Sequence, residues 1–150
     1  MELESYEVEK NADKSDYFFY SQGPIGRIRK VIRFRRIREL GVNTYNLAFG
    51  DLDESTMELN DRSVTNNNDR LKVLATVAKV VDDFINSRPN AIIYVKGSTL
   101  SRIRLYQMAI AAFWLEISIR YVVLGKTRGE WISFRKGVNF EEFLVYRKIV

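Results

Sequence analysis

Arg27, Arg29, Arg33 and Arg35 stand at odd positions along one short stretch of the chain. In a β-strand, alternate residues share a face at a spacing of about 6.6 Å. The pattern is therefore a row of cations on the scale of successive phosphates in a nucleic-acid strand. Tyr17, Tyr20 and Phe34 are close enough in sequence to supply rings on which bases could stack. The chemistry of such a row is anion binding, with nucleic acid or an acidic protein as the partner. The row can also be neutralised from within, because opposite charges paired across strands stabilise a sheet modestly. Both the N-terminal segment and the stretch 51–61 are acidic.

A second constellation is Lys96-Gly97-Ser98-Thr99-Leu100-Ser101-Arg102. It follows an apolar run and opens a helical pattern. Free N–H groups at a helix start attract anions, and glycine lets a ligand approach the backbone. Lys96, Gly97, Ser98, Thr99 and Arg102 thus form a candidate anion cradle, although the GxxxxGK[ST] spacing of a P-loop is absent. The plainer alternative is that Ser98 or Thr99 caps the helix and that Arg102 and Arg104 are exposed. A third cluster, Asp51, Asp53, Glu54 and Asp61, offers oxygen ligands of the kind Mg²⁺ or Ca²⁺ prefers. Its spacing is not that of an EF-hand, and no lysine has a carboxylate two residues before it. A polar turn without a metal is the expectation. Trp114, Trp131, Tyr121 and Phe134 read as core or sheet-face aromatics.

What is absent narrows the chemistry further. The 150 residues contain no His and no Cys. Thiolate nucleophiles, disulfides, Ser-His-Asp relays and His- or Cys-ligated metals are excluded. A hydrophobic content of 46% with 13% aromatic residues is that of a globular chain. Met1-Glu2-Leu3-Glu4 is acidic and has no apolar region after it, so no signal peptide is expected and the cytoplasm is the expected compartment. The net charge of +5 hides blocks. Residues 1–26 carry a net −4, residues 27–38 carry +7 and residues 51–61 carry −5.

The elements that must position these groups follow from periodicity and turn residues. Asp16–Tyr20, Arg27–Ile37, Thr44–Gly50 and Met57–Thr65 read as strands. Asp69–Asn86 reads as a helix with Val73, Leu74, Val77, Val80, Val81, Phe84 and Ile85 on its buried stripe. Ala91–Val95 reads as a covered strand, Leu100–Ile117 as a second helix, and Tyr121–Lys126 with Glu130–Phe134 as a hairpin. Phe140–Val145 fits either a last strand or a short helix. The expected fold is a single α+β domain over residues 1–150. It has a twisted, mixed but mostly antiparallel sheet and two main helices, in the order ββββ-α-β-α-ββ.

Several segments carry a resemblance. Tyr17-Phe18-Phe19-Tyr20-Ser21-Gln22-Gly23-Pro24, Tyr45-Asn46-Leu47-Ala48-Phe49-Gly50-Asp51, Val64-Thr65-Asn66-Asn67-Asn68-Asp69 with Lys72-Val73-Leu74-Ala75-Thr76-Val77, and Lys96-Gly97-Ser98-Thr99 with Arg102, Arg104, Leu105 and Tyr106 resemble an uncharacterised domain family of Bacteroidota over nearly the whole chain. That resemblance implies no activity. The element order of the second half, with Ser101-Arg102-Ile103-Arg104-Leu105-Tyr106, is similar in architecture to acetyl-coenzyme-A-dependent N-acetyltransferases. Their [QR]-x-x-G-x-[GA] cofactor loop has no counterpart here, since no glycine occurs between Gly50 and Gly97. The expected function is non-enzymatic binding through the basic strand, without a cofactor. The partner would be nucleic acid or an acidic protein, such as a neighbouring-gene product of a bacterial two-gene module. The alternative is a small transferase with a phosphate-bearing, acetyl-coenzyme-A-like cofactor at Lys96–Arg102.

Overall fold

A computed structural model describes residues 4–41, 43–60, 66–97 and 99–149. In chain order they form β1 (Glu9–Lys10), β2 (Asp16–Gly23), β3 (Gly26–Arg36), a 3₁₀ turn (Arg38–Leu40), β4 (Thr44–Asp53), β5 (Glu58–Asn60), α1 (Arg70–Ser87), β6 (Ile92–Lys96), α2 (Leu100–Ala112), α3 (Trp114–Arg120), β7 (Tyr121–Thr127), β8 (Glu130–Ser133) and β9 (Glu142–Arg147). The strands belong to one sheet in the order β1-β2-β3-β4-β6-β9-β7-β8, with β5 paired to β4 off this path. The class is α+β as expected from sequence, with mostly antiparallel pairing and a parallel pairing of β4 with β6. No helix among the described residues is long and apolar enough to cross a membrane. The chain divides into two compact units.

The first unit comprises Met1–Phe34 and Ala48–Phe84. Its frame is the β2–β3 hairpin, in register from Asp16↔Arg33 to Gly23↔Gly26. Gly26 has φ +103, which a residue with a side chain seldom adopts, and this closes the tight turn at Pro24-Ile25. Strand β2 therefore runs on to Gly23, three residues past the expected end at Tyr20. The register puts Tyr17, Phe19 and Ser21 on one face with Ile28, Lys30, Ile32 and Phe34. Helix α1 covers that face. Its Phe84 ring stacks on Phe34 at 3.9 Å between centroids, and Tyr17 Oη donates to Asp83 Oδ2 at 2.8 Å. Val73, Leu74, Val77, Val80 and Phe84 are buried as the helical period requires, whereas Val81 is half-buried. The β4–β5 hairpin holds Asp51↔Asn60 to Asp53↔Glu58. Strand β5 ends at Asn60, and residues 61–65 of the expected return strand lie outside the described residues.

The second unit comprises Arg35–Leu47 and Ile85–Val150. Here β4 starts parallel to β6, with Tyr45 opposite Ile93. The segment that fitted strand or helix is strand β9. It lies between β6 and β7 and pairs antiparallel with both. A segment with partners on both edges satisfies all its backbone groups as a strand. The expected long helix is broken at Phe113 into α2 and α3. Phe113 has φ −109 and ψ 20 and keeps its ring buried, while Trp114 packs against Phe134 at 4.8 Å. Phe134, Phe140 and Phe143 form the aromatic centre of this unit, with centroids 5.6–6.2 Å apart. Trp131, read from sequence as a core or sheet-face aromatic, lies on strand β8 and is 39% exposed. It stands opposite Lys126, and among the described residues β8 pairs with β7 alone.

Candidate functional site

The face of β2–β3 turned away from α1 carries Asp16, Phe18 and Tyr20 from β2 and Arg27, Arg29, Val31 and Arg33 from β3. The alternation read from sequence is thus present, and cross-strand register decides what each arginine meets. Arg33 stands opposite Asp16, its Nε 3.3 Å from Oδ2. Arg29 stands opposite Tyr20 and donates from Nη1 to the phenol oxygen at 2.6 Å. Its guanidinium also lies 4.8 Å from the Tyr20 ring centre and 5.1 Å from that of Phe18. Arg27, one step along and exposed, sits 3.7 Å from the Tyr20 centroid, at van der Waals distance. Two guanidinium groups therefore flank one tyrosine. Tyr20, named from sequence as a nearby ring, is the centre of the array. Tyr17 and Phe34 point to the helix-covered face and take no part.

The acids that meet this face come from its own side of the sequence. Glu9 on β1 stands opposite Phe18, its Oε2 4.0 Å from Arg29, and Asp16 takes Arg33. Two acids of the hairpin that could have neutralised the row, Asp51 and Asp53, are used elsewhere. Asp51 faces the helix-covered side and forms an ion pair with Lys30, whose side chain is 1% exposed. Asp53 accepts from Ser55 N and Oγ at 2.9 and 2.7 Å within its own turn, and these bonds hold its carboxyl below the usual carboxylate range. Asp61 lies outside the described residues. Arg35 is exposed at the end of β3 and belongs to the second unit. Arg29 Nε is buried without a hydrogen-bond partner among the described residues.

Lys96, Gly97, Thr99 and Arg102 are gathered at the turn from β6 into α2, and Ser98 lies outside the described residues. Thr99 caps the helix, its hydroxyl accepting from Arg102 N at 3.2 Å. Arg102, read as exposed in the capping alternative, is 2% exposed. Gly97 has a packing role, because a Cβ there would lie 2.4 Å from the backbone N of Ile103. The glycine lets β6 and α2 approach each other.

Two polar clusters gave no signal in sequence, because their members are far apart along the chain. Asp69 Oδ2, at the start of α1, accepts from Tyr6 Oη at 2.6 Å and Ser21 Oγ at 2.5 Å. Burial, with the Asp69 hydrogen bond, pushes the Tyr6 phenol up from its ordinary value. On the second unit, Tyr94 Oη donates to Glu142 Oε1, and Lys126 Nζ lies 3.6 Å from Glu142 Oε2. Burial first, then the Glu142 hydrogen bond and its charge, push the Tyr94 phenol up to about 12. Among the described residues, no group of three or more acidic side chains is placed to hold a metal ion.

Comparison with known proteins adds the family. No curated protein and no solved structure matches the chain. The model of a family of unknown function, DUF6934, matches residues 2–148. This match takes in both units and the arginine-bearing β2–β3 hairpin, and the chain belongs to that family.

Proposed function

We propose that this protein works by binding rather than by catalysis, and that the Arg27–Arg33 face of β2–β3 takes an anionic partner, a nucleic acid or an acidic protein. The observation that carries the reading is the pair of guanidinium groups around Tyr20, met among the described residues by one acid, Glu9, whose side chain is 85% exposed. Arg33 is largely committed to Asp16, so the anion-binding end of the row is Arg27–Arg29. Arginine keeps its charge at any accessible pH and offers planar donors to phosphate or carboxylate.

The test is fluorescence anisotropy with labelled heparin as a generic polyanion. Neutralising two anionic groups makes affinity fall about tenfold between roughly 50 and 200 mM salt. Arg27→Glu is the variant of choice, because Arg27 is exposed, whereas Arg29 and Arg33 are each 21% exposed and paired. It should weaken binding severalfold while the melting temperature holds. Salt-independent binding, or an unchanged affinity in Arg27→Glu, overturns the reading.

A further inference from the structure

The guanidinium of Arg27 lies on the Tyr20 ring, 3.7 Å from its centre, and its side chain is exposed. A planar cation held against a ring has a second face, and that face is a platform. Resting on the reading of this face as an anion site, we infer that its ligand is a single-stranded nucleic acid with a base stacked on the Arg27–Tyr20 pair.

Three features select this occupant. The first is what the platform offers. A nucleobase has a π-face and can stack on an arginine plane as it does on an aromatic ring. A carboxylate has no such face and would engage donor edges alone, of which Arg33 already gives its Nε to Asp16 and Arg29 its Nη1 to Tyr20 Oη, leaving the face of the Arg27–Tyr20 pair uncovered.

The second is shape. Duplex DNA is read by an element that enters a major groove about 12 Å wide. Here the cations lie along a strand of the sheet, and both Arg27 and Arg29 are drawn onto the Tyr20 ring. A single strand can lie along such a row with its bases turned toward the sheet.

The third is the mix of groups. Arg27, Tyr20, Arg29 and Phe18 alternate cation and ring across two adjacent strands. Proteins that bind single strands combine backbone-tracking charge with stacking rings in this way.

Arg27→Lys is the decisive variant, because it keeps the charge and removes the plane. Anisotropy at low salt would compare four probes: a short single-stranded oligodeoxynucleotide, the abasic strand of equal length, the duplex, and polyglutamate. The base-bearing single strand should bind about tenfold tighter than the abasic one, the scale of one stacked base. Arg27→Lys should erase most of that difference while leaving the affinity for the abasic strand unchanged. Equal affinity for abasic and base-bearing strands, or a preference for duplex or polyglutamate, overturns the inference while the anion-site reading stands. Failure of all four probes to bind overturns both.

Discussion

Lys30 is the least expected residue of the basic stretch. It stands in the row Ile28, Ile32 and Phe34, under α1, and is 1% exposed. Its ion pair with Asp51 accounts for its place there. A buried cation needs its partner more than the fold needs the pair, since removing one member leaves a charge in a poorly solvated site. Lys30→Met is expected to lower stability by about 3 kcal/mol, and Lys30→Met with Asp51→Leu to recover most of that loss. Urea unfolding of the two variants checks this. Equal stabilities would mean that the pair is not the reason Lys30 is tolerated. Neither the burial nor the pairing could be read from sequence. Lys30 sits among six other bases with no acid in residues 27–38, and its partner lies 21 positions away.

At the scale of elements, β1 brings an acid to the arginine face. It is two residues long, and Glu9 places its carboxylate 4.0 Å from Arg29. Lys10 ties the same strand to Asp83 at 2.9 Å, and Glu4 and Tyr6 tie the preceding segment to Lys72 and Asp69 at 3.2 and 2.6 Å. A pair as exposed as Glu9–Arg29 contributes about 0.5 kcal/mol, which corresponds to a two- to threefold effect on a competing anion. Glu9→Gln is therefore expected to raise polyanion affinity about twofold in the same anisotropy assay, with β1 still held by Lys10. No change would show that Glu9 does not screen the site. The turn into α2 gives a contrasting lesson. A glycine before a helix start invites a ligand reading, but Gly97 is explained by the close approach of Ile103.

For the whole molecule, the shifted groups set the pH limits of stability. Burial alone would push the Asp83 carboxyl up, but the hydrogen bonds from Lys10 and Tyr17 outweigh it and hold it below the ordinary range. Asp53 is lowered by Ser55. A depressed carboxylate stabilises the fold above its unfolded pKa, and that contribution is lost as pH falls through the folded value. Tyr94 has the opposite sign. Its neutral form is favoured in the fold, so stability is full below pH 10 and falls as pH rises toward 12. With no His in the chain, no side chain has its ordinary pKa in the neutral range. Calorimetry should show a flat melting temperature through neutrality, a fall below about pH 4, and an alkaline fall that Tyr94→Phe reduces. A step near pH 6.5, or an alkaline limb unchanged in Tyr94→Phe, would contradict this assignment.

Much of the fold was legible because its signals are local. Period-two alternation marked β3 and β4, the 3.6-residue stripe marked α1, and Gly and Pro marked the turns. The missing His and Cys excluded whole classes of chemistry before any fold was considered. The break at Phe113 and the insertion of β9 between β6 and β7 were not legible, because each depends on what packs or pairs from elsewhere in the chain. The sequence by itself determined that a row of arginines exists on one strand face and that acids are available to meet it. Only the tertiary structure decided which acids do. Antiparallel register puts Asp16 opposite Arg33 and Tyr20 opposite Arg29, while alternation turns Asp51 to the other face, toward Lys30. Register joins residues many positions apart, and a one-residue slip would send every one of those side chains to the opposite face.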